Sequence, residues 1–417
     1  MMDFIRKNIF CGFFVFVVIV FMTGYIYLNY SINQNISNIE KISGDESLLK
    51  DIEISGIIHD QFSAISFKLK DKELQQNLIY YNNYLDYTKI LRSDRIMLPN
   101  YYFFYDYPNG LLKLVYNNGN KEKTGIIKAQ VNCQKTSTTY RTKFMGELNG
   151  KIYFIIPTDD SCRGISGIYE VFDFDKLPNN EEEANKEIGY RKISDIDLKD
   201  GKVEVNGMFV VGNSLCVIFI ENGKLKVQAF NIINEEFSEA IEIPLKYLAS
   251  FENEHVGGYV NSNYLNLVID QVYTLEITNE ISLVKAFDIG DELYGEEWES
   301  ARHLYSMPLL YNAYRSIGDL VYKNDKLYIV NYIDTSNNEN NNPLDVGEKY
   351  LEVLMFNKQD NILFSGKINT SLSDDRIWVL GFKENEQKWN DFIYKNKYSE
   401  EANSVNRSFG KIEIEVK

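Results

Sequence analysis

Histidine, cysteine, tryptophan and proline are all scarce in this chain of 417 residues, which holds three, four, three and seven of them. His59, His255 and His303 include no i, i+4 pair, and no C-x-x-C occurs, so the usual zinc sites have no ligand set. Neither G-x-x-x-x-G-K-[ST] nor G-x-G-x-x-G is present, which removes the common phosphate cradles. The nucleophile elbow G-x-S-x-G is approached only at Gly164 and Ser166, where Ile168 stands in place of the second glycine. No cofactor and no metal are therefore expected. Positive charge is short as well: 44 Lys and Arg against 60 Asp and Glu give a net charge of −16. Such a field repels phosphate backbones, so nucleic acid is not an expected partner.

Charge is missing altogether from residues 8–39, and within them residues 9–28 (IFCGFFVFVVIVFMTGYIYL) are almost wholly apolar. Twenty residues at about 1.5 Å rise match a hydrocarbon core of roughly 30 Å. Tyr25, Tyr27 and Tyr30 stand at the far end, where amphipathic rings favour the headgroup boundary, and Arg6 and Lys7 flank the near end. The pattern predicts a signal-anchor helix over 9–28, residues 1–8 in the cytoplasm, a polar stalk over 29–50 and an extracytoplasmic domain over 51–417. A cleaved signal is the rival reading, but the run is long for one and no A-x-A-like site follows it.

Tyrosine (30) and phenylalanine (25) are abundant, which favours pleated strands over helices. Beyond the stalk one theme repeats: an apolar strand, a tight turn with Asn, Asp or Gly, and a second alternating strand. It recurs at 101–119, 149–176, 212–232, 261–277 and 324–360, with room for a further strand on either side of each hairpin. Four antiparallel strands per unit at a long period predict an all-β fold, a β-propeller of six or seven four-stranded blades. The closing KIEIEVK is expected to pair with the N-terminal strands. Tandem β-sandwiches are the alternative built from the same hairpins.

In an a-b-c-d antiparallel blade the b–c and d–a connections share one face, and the long insertions fall there: 131–142, 157–167, 250–258, 291–317 and 334–348. Long loops on one rim of a rigid scaffold are where binding concentrates. They supply the candidate ligand-binding residues Asp159, Asp160, Arg163, His255, Trp298, Arg302 and His303, although for His255 and His303 the ordinary polar loop histidine is the favoured reading. Cys133 and Cys162 lie in two of these loops, and outside the cytoplasm they are expected to form a disulfide. Cys216, within LCVIFI, is expected to be a buried apolar side chain. The acids of 288–299 match no calcium loop and read as solvated.

No catalytic residue is assigned. The reading is a membrane-anchored recognition or scaffolding module binding a protein, peptide or glycan through its loop-rich face. The alternative is an envelope glycan hydrolase or lyase using carboxylates and a histidine on that face.

Overall fold

The structure is a computed structural model, which describes residues 16–24, 39–59, 63–80, 101–106, 109–117, 122–128, 131–134, 138–141, 144–172, 186–245, 257–269, 271–289, 315–334, 349–369 and 408–417. Among these the fold is all-β, in six sheets.

Sheet I runs in the order β27 (Ser408–Val416), β2 (Ile52–His59), β3 (Ser63–Lys70), β4 (Glu73–Tyr80). Sheet II is β12 (Lys186–Glu187), β7 (Glu122–Lys128), β6 (Leu111–Asn117), β5 (Tyr101–Asp106), β8 (Thr138–Arg141). Sheet III is β13 (Tyr190–Asp197), β11 (Ile165–Val171), β10 (Lys151–Ile155), β9 (Met145–Leu148). Sheet IV is β14 (Val203–Val211), β15 (Ser214–Glu221) and β16 (Lys224–Asn231), with β17 (Glu236–Phe237) and β18 (Ile241–Glu242) both on β16. Sheet V is β19 (Gly257–Asn261), β20 (Tyr264–Val268), β21 (Val272–Ile277), β22 (Ile281–Phe287). Sheet VI is β23 (Arg315–Lys323), β24 (Lys326–Asp334), β25 (Lys349–Asn357), β26 (Ile362–Asn369), β1 (Ile39–Gly44). All these pairings are antiparallel except the short β12–β7 contact, which is parallel.

The hairpins form where the turn chemistry demands them. Asn149–Gly150, Asn222–Gly223 and Asn324–Asp325 each place two successive residues at positive φ, the conformation of a two-residue turn whose twist suits the flanking strands. Of the strands that follow, β10 and β24 are buried on both faces over most of their length, while β16 is buried mainly on one. In β24, Leu327 and Ile329 pack toward sheet V, while Tyr328 and Val330 pack toward sheet I. Apolar clusters join sheets II, III and IV, then IV and V, then V and VI, and finally VI and I.

The first strands of successive sheets also meet. β9 meets β14 where Gly146 lies against Val210, and β14 meets β19 where Gly258 lies against the Phe209 ring. A side chain at either glycine would overlap its neighbour. β19 and β23 run side by side in the same sense: the Tyr259 hydroxyl donates to the Ile317 carbonyl at 3.2 Å and Asn261 Nδ2 to the Tyr322 carbonyl at 3.4 Å. β23 and β27 do likewise, since the Ile414 amide donates to Asp319 Oδ2 at 2.7 Å and Lys323 Nζ to the Val416 carbonyl at 2.6 Å.

Two expectations are corrected by the structure and a third, the pairing of the closing strand, is met. Residues 39–50, assigned by composition to a stalk, belong to the folded body. Ile39–Gly44 pairs with β26, and the 3-10 turn Glu46–Asp51, capped by Asp45, buries Leu49 completely. The polar alternation of IEKISG suits an outermost strand whose exposed face needs no apolar residues. Within 131–142, expected as loop, Thr138–Arg141 is a strand on β5, consistent with the β preference of Thr and Tyr beside an open edge. The first sheet takes its fourth strand from β27, so KIEIEVK does pair with β2, from Ile52↔Val416 to His59↔Ser408.

Residues 16–24 are helical, and their apolar side chains stand largely exposed, Phe16 and Phe21 at 63% and 74%. The rest of the 9–28 segment lies outside the described residues. Among the described residues no helix is long and apolar enough to cross a membrane.

Candidate functional site

The loop from β10 to β11 crosses a junction of three sheets. Thr158 is buried and bonded twice to sheet IV: its hydroxyl accepts from the Val205 amide at 2.8 Å, and its amide donates to the Val205 carbonyl at 3.3 Å. The chain then turns at Asp159, whose Oδ1 accepts from the Ser161 amide at 3.0 Å and the Ser161 hydroxyl at 2.5 Å. The Cys162 amide closes the turn on the Asp159 carbonyl at 3.0 Å. Arg163 donates its amide to the Asn132 carbonyl at 2.8 Å, an isolated bridge between this loop and the segment leaving sheet II. Next to it Cys133 and Cys162 form a disulfide, with Cys162 fully buried.

Arg163 Nη1 donates to the Asp160 and Cys162 carbonyls. This guanidinium lies over Gly201, at φ +85° in the 3-10 turn Lys199–Gly201 that leads into β14. A side chain at Gly201 would overlap it. Gly164, at φ +86°, swings the chain into β11 while its carbonyl accepts from the Leu198 amide at 3.0 Å.

Of the sequence candidates, this junction therefore collects Asp159, Asp160, Arg163, Cys133 and Cys162. The Asp159 carboxylate and the Arg163 guanidinium hold the turn, while Asp160 is exposed. His255, Trp298, Arg302 and His303 lie outside the described residues. Cys216 is buried, and burial pushes its thiol up to about 12, so it is an inert core side chain at neutral pH. Among the described residues no group of three His, Cys, Asp or Glu side chains is placed to hold a metal.

Sequence reading missed two carboxylates inside strands. Glu170 on β11 is 3% exposed and bridges its neighbours on both sides, Lys151 of β10 at 2.8 Å and Arg191 of β13 at 2.6 Å. Burial opposes its ionisation, but hydrogen bonds from Lys151 and Arg191 outweigh that and hold the carboxyl below its ordinary range. Asp319 on β23 accepts from the amides of Leu320 at 2.8 Å and Ile414 at 2.7 Å, so it stitches β23 to β27. Burial and the charge of Asp319 both raise the pKa of the Tyr259 hydroxyl. The available signal was an acid within an apolar run, IYEVF and GDLVY.

Because the folded-state value of Glu170 is depressed, the clamp stabilises fully above the ordinary carboxylate range and loses that contribution as pH falls through the folded value. Glu170→Gln should lower stability by about 1–3 kcal/mol at pH 7. Denaturant titrations at pH 7 and pH 3 check this: the gap to wild type should narrow at the lower pH, and a constant gap would refute the charge-based role.

No family model matches the chain, and no curated protein matches it. Among solved structures, it is similar to a candidate 6-phosphogluconolactonase from Bacteroides uniformis ATCC 8492, at 8% identity and TM-score 0.29, over 64% of this chain and 81% of the other. A second such candidate, from Bacteroides fragilis NCTC 9343, aligns at 8% identity and TM-score 0.29, over 78% and 83%. A post-proline cleaving enzyme from Rickettsia typhi aligns at 10% identity and TM-score 0.22, over 72% and 41%. Likeness at these scores adds nothing to the sheet topology described above.

Proposed function

We propose that the chain is a membrane-anchored, extracytoplasmic recognition or scaffolding module, its six sheets standing around a common axis as propeller blades. The ring reading is supported by the packing order. Sheets III to VI each pack on the neighbour before and the neighbour after, sheet VI packs on sheet I, and β9, β14, β19, β23 and β27 meet one another in that order. Tandem sandwiches would pair sheets two by two, with separate cores.

The observation that carries the recognition reading is the bracing of the 157–164 loop. Hydrogen bonds to two neighbouring sheets and a disulfide hold it as a fixed ledge, with Asp160 presented outward. A pre-set loop on a rigid scaffold loses little conformational freedom on binding, which is what favours it as a recognition surface. The anchor reading rests on the uncharged segment flanked by Arg6 and Lys7, and on the exposed apolar side chains of residues 16–24. A disulfide fits the oxidising side of such a membrane.

A photo-cross-linking residue at Asp160 in the full chain, expressed in its cells, tests this. Defined adducts are expected from position 160 and not from Asn213 at the opposite end of sheet IV. Equal labelling from both, or none from Asp160, would contradict a recognition role for this ledge. Turnover of a glycan that Asp160→Ala abolishes would replace recognition by catalysis.

A further inference from the structure

The strand directions fix where the anchor joins the body. In sheet VI, β24 ends and β25 begins at one end of the sheet, and this is the end of the long 335–348 connection. β26 ends there too, and Ile39, the first residue of β1, pairs with Ile368 near that terminus. The chain arriving from the membrane segment therefore enters the body at the end that bears the long connections. Gly44, at the other terminus of β1, pairs with Phe364 near the tight turn 358–361, and the C-terminal Lys417 lies at that far end, bonded to Asp51 and Asp71. Because β19, β23 and β27 run side by side in one sense, this end is common to sheets V, VI and I.

Ten residues, 29–38, separate the expected membrane segment from Ile39. Fully extended they reach about 33–36 Å. A nine-residue strand such as β24 gives the body a height of about 30 Å along the strand direction. Were the tight-turn end against the bilayer, the tether would have to climb nearly the whole body, using almost all its length. With the long-connection end against the bilayer it needs to span no part of the body.

We propose that the protein holds its loop-bearing end toward the membrane and its tight-turn end, with the C-terminus, away from it. This rests on the anchored-ring reading above. It confines what the loop-bearing end meets to groups close to the bilayer surface. The net charge of −16 disfavours anionic lipid as that target.

The test is energy transfer from a dye on the full-length protein, reconstituted in vesicles, to acceptor lipids in the leaflet facing the body. In a Cys11→Ser background the only free thiol among the described residues, Cys216, is buried. Glu40→Cys, near the start of β1, reports the loop-bearing end, and Ser262→Cys and Lys358→Cys, in tight turns of sheets V and VI, report the other. Along the eight-residue β26 the two ends of sheet VI stand about 27 Å apart. Transfer is expected to be several-fold stronger from position 40 than from 262 or 358. A reversed order, equal transfer at all three, or no transfer while the protein still floats with the vesicles would overturn the orientation. Failure to float at all would instead overturn the anchor on which it rests.

Discussion

Serine at both Cys133 and Cys162 is expected to leave the sheets assembled but to free the 157–164 ledge. The bridge spans 29 residues of sequence, and a loop of that size is worth about 3–4 kcal/mol of restricted unfolded-chain entropy. In a chain of this length that is a fall in Tm of only about 4 °C, because the unfolding entropy is large. The larger effect is local. Arg163 is exposed and joined to Asn132 through one backbone bond, so without the disulfide the loop opens more often than the core. Trypsin should then cut after Arg163 at least about tenfold faster, the change expected when local opening becomes easier by about 1.4 kcal/mol. Identical cleavage in the serine variant and the oxidised protein would show that the hydrogen bonds alone fix the ledge.

A second large effect is expected at the C-terminus. Ile412, Ile414 and Val416 all point from β27 into the cluster shared by sheets VI and I, and all are buried. Truncating the three to alanine should remove about 5–10 kcal/mol, as much as the whole stability of an ordinary domain. The consequence should be cooperative loss of sheet I, with the unpaired edge of β2 prone to associate with other copies. Asp319→Ala, which leaves the Ile414 amide without its acceptor, should cost less, about 1–3 kcal/mol. Denaturant unfolding, followed with hydrogen exchange over Ile52–His59, separates the two. If that strand keeps its protection in the triple variant, β27 does not complete the sheet.

What was legible in the sequence is what short-range chemistry decides. Asn149–Gly150, Asn222–Gly223 and Asn324–Asp325 announce their hairpins because those residues tolerate positive φ, and the alternation on either side sets each register. The alternation of KIEIEV announced a strand seeking a partner, and the partner followed from the need to cover an edge. Elements without a local signature went unread. β1 is polar on its open face and short, so IEKISG resembles a linker until β26 is set beside it. Thr138–Arg141 has only its β preference to distinguish it from loop.

The candidate site divides along the same line. The two loop cysteines could be brought together on paper because strand order alone places their loops at one end. Asp159 and Arg163 hold the turn largely through partners one to three residues away, a bonding that Asp-x-Ser permits but does not require, and the Gly201 backbone over which the guanidinium lies comes from elsewhere in the fold. Glu170 and Asp319 escaped notice because a strand acid becomes meaningful only when its partners, up to 95 residues distant, are in place.

The fold depends on the last strand completing the first sheet, and a cysteine pair reads that directly. Ser55 and Glu413 face each other in the β2–β27 register. With Ser55→Cys and Glu413→Cys in the same full-length chain, mild oxidation should yield one intramolecular bridge, seen by mass spectrometry as a linked peptide pair from a monomer. Free thiols at both positions, or links only between molecules, would contradict the closure of the chain upon its own beginning.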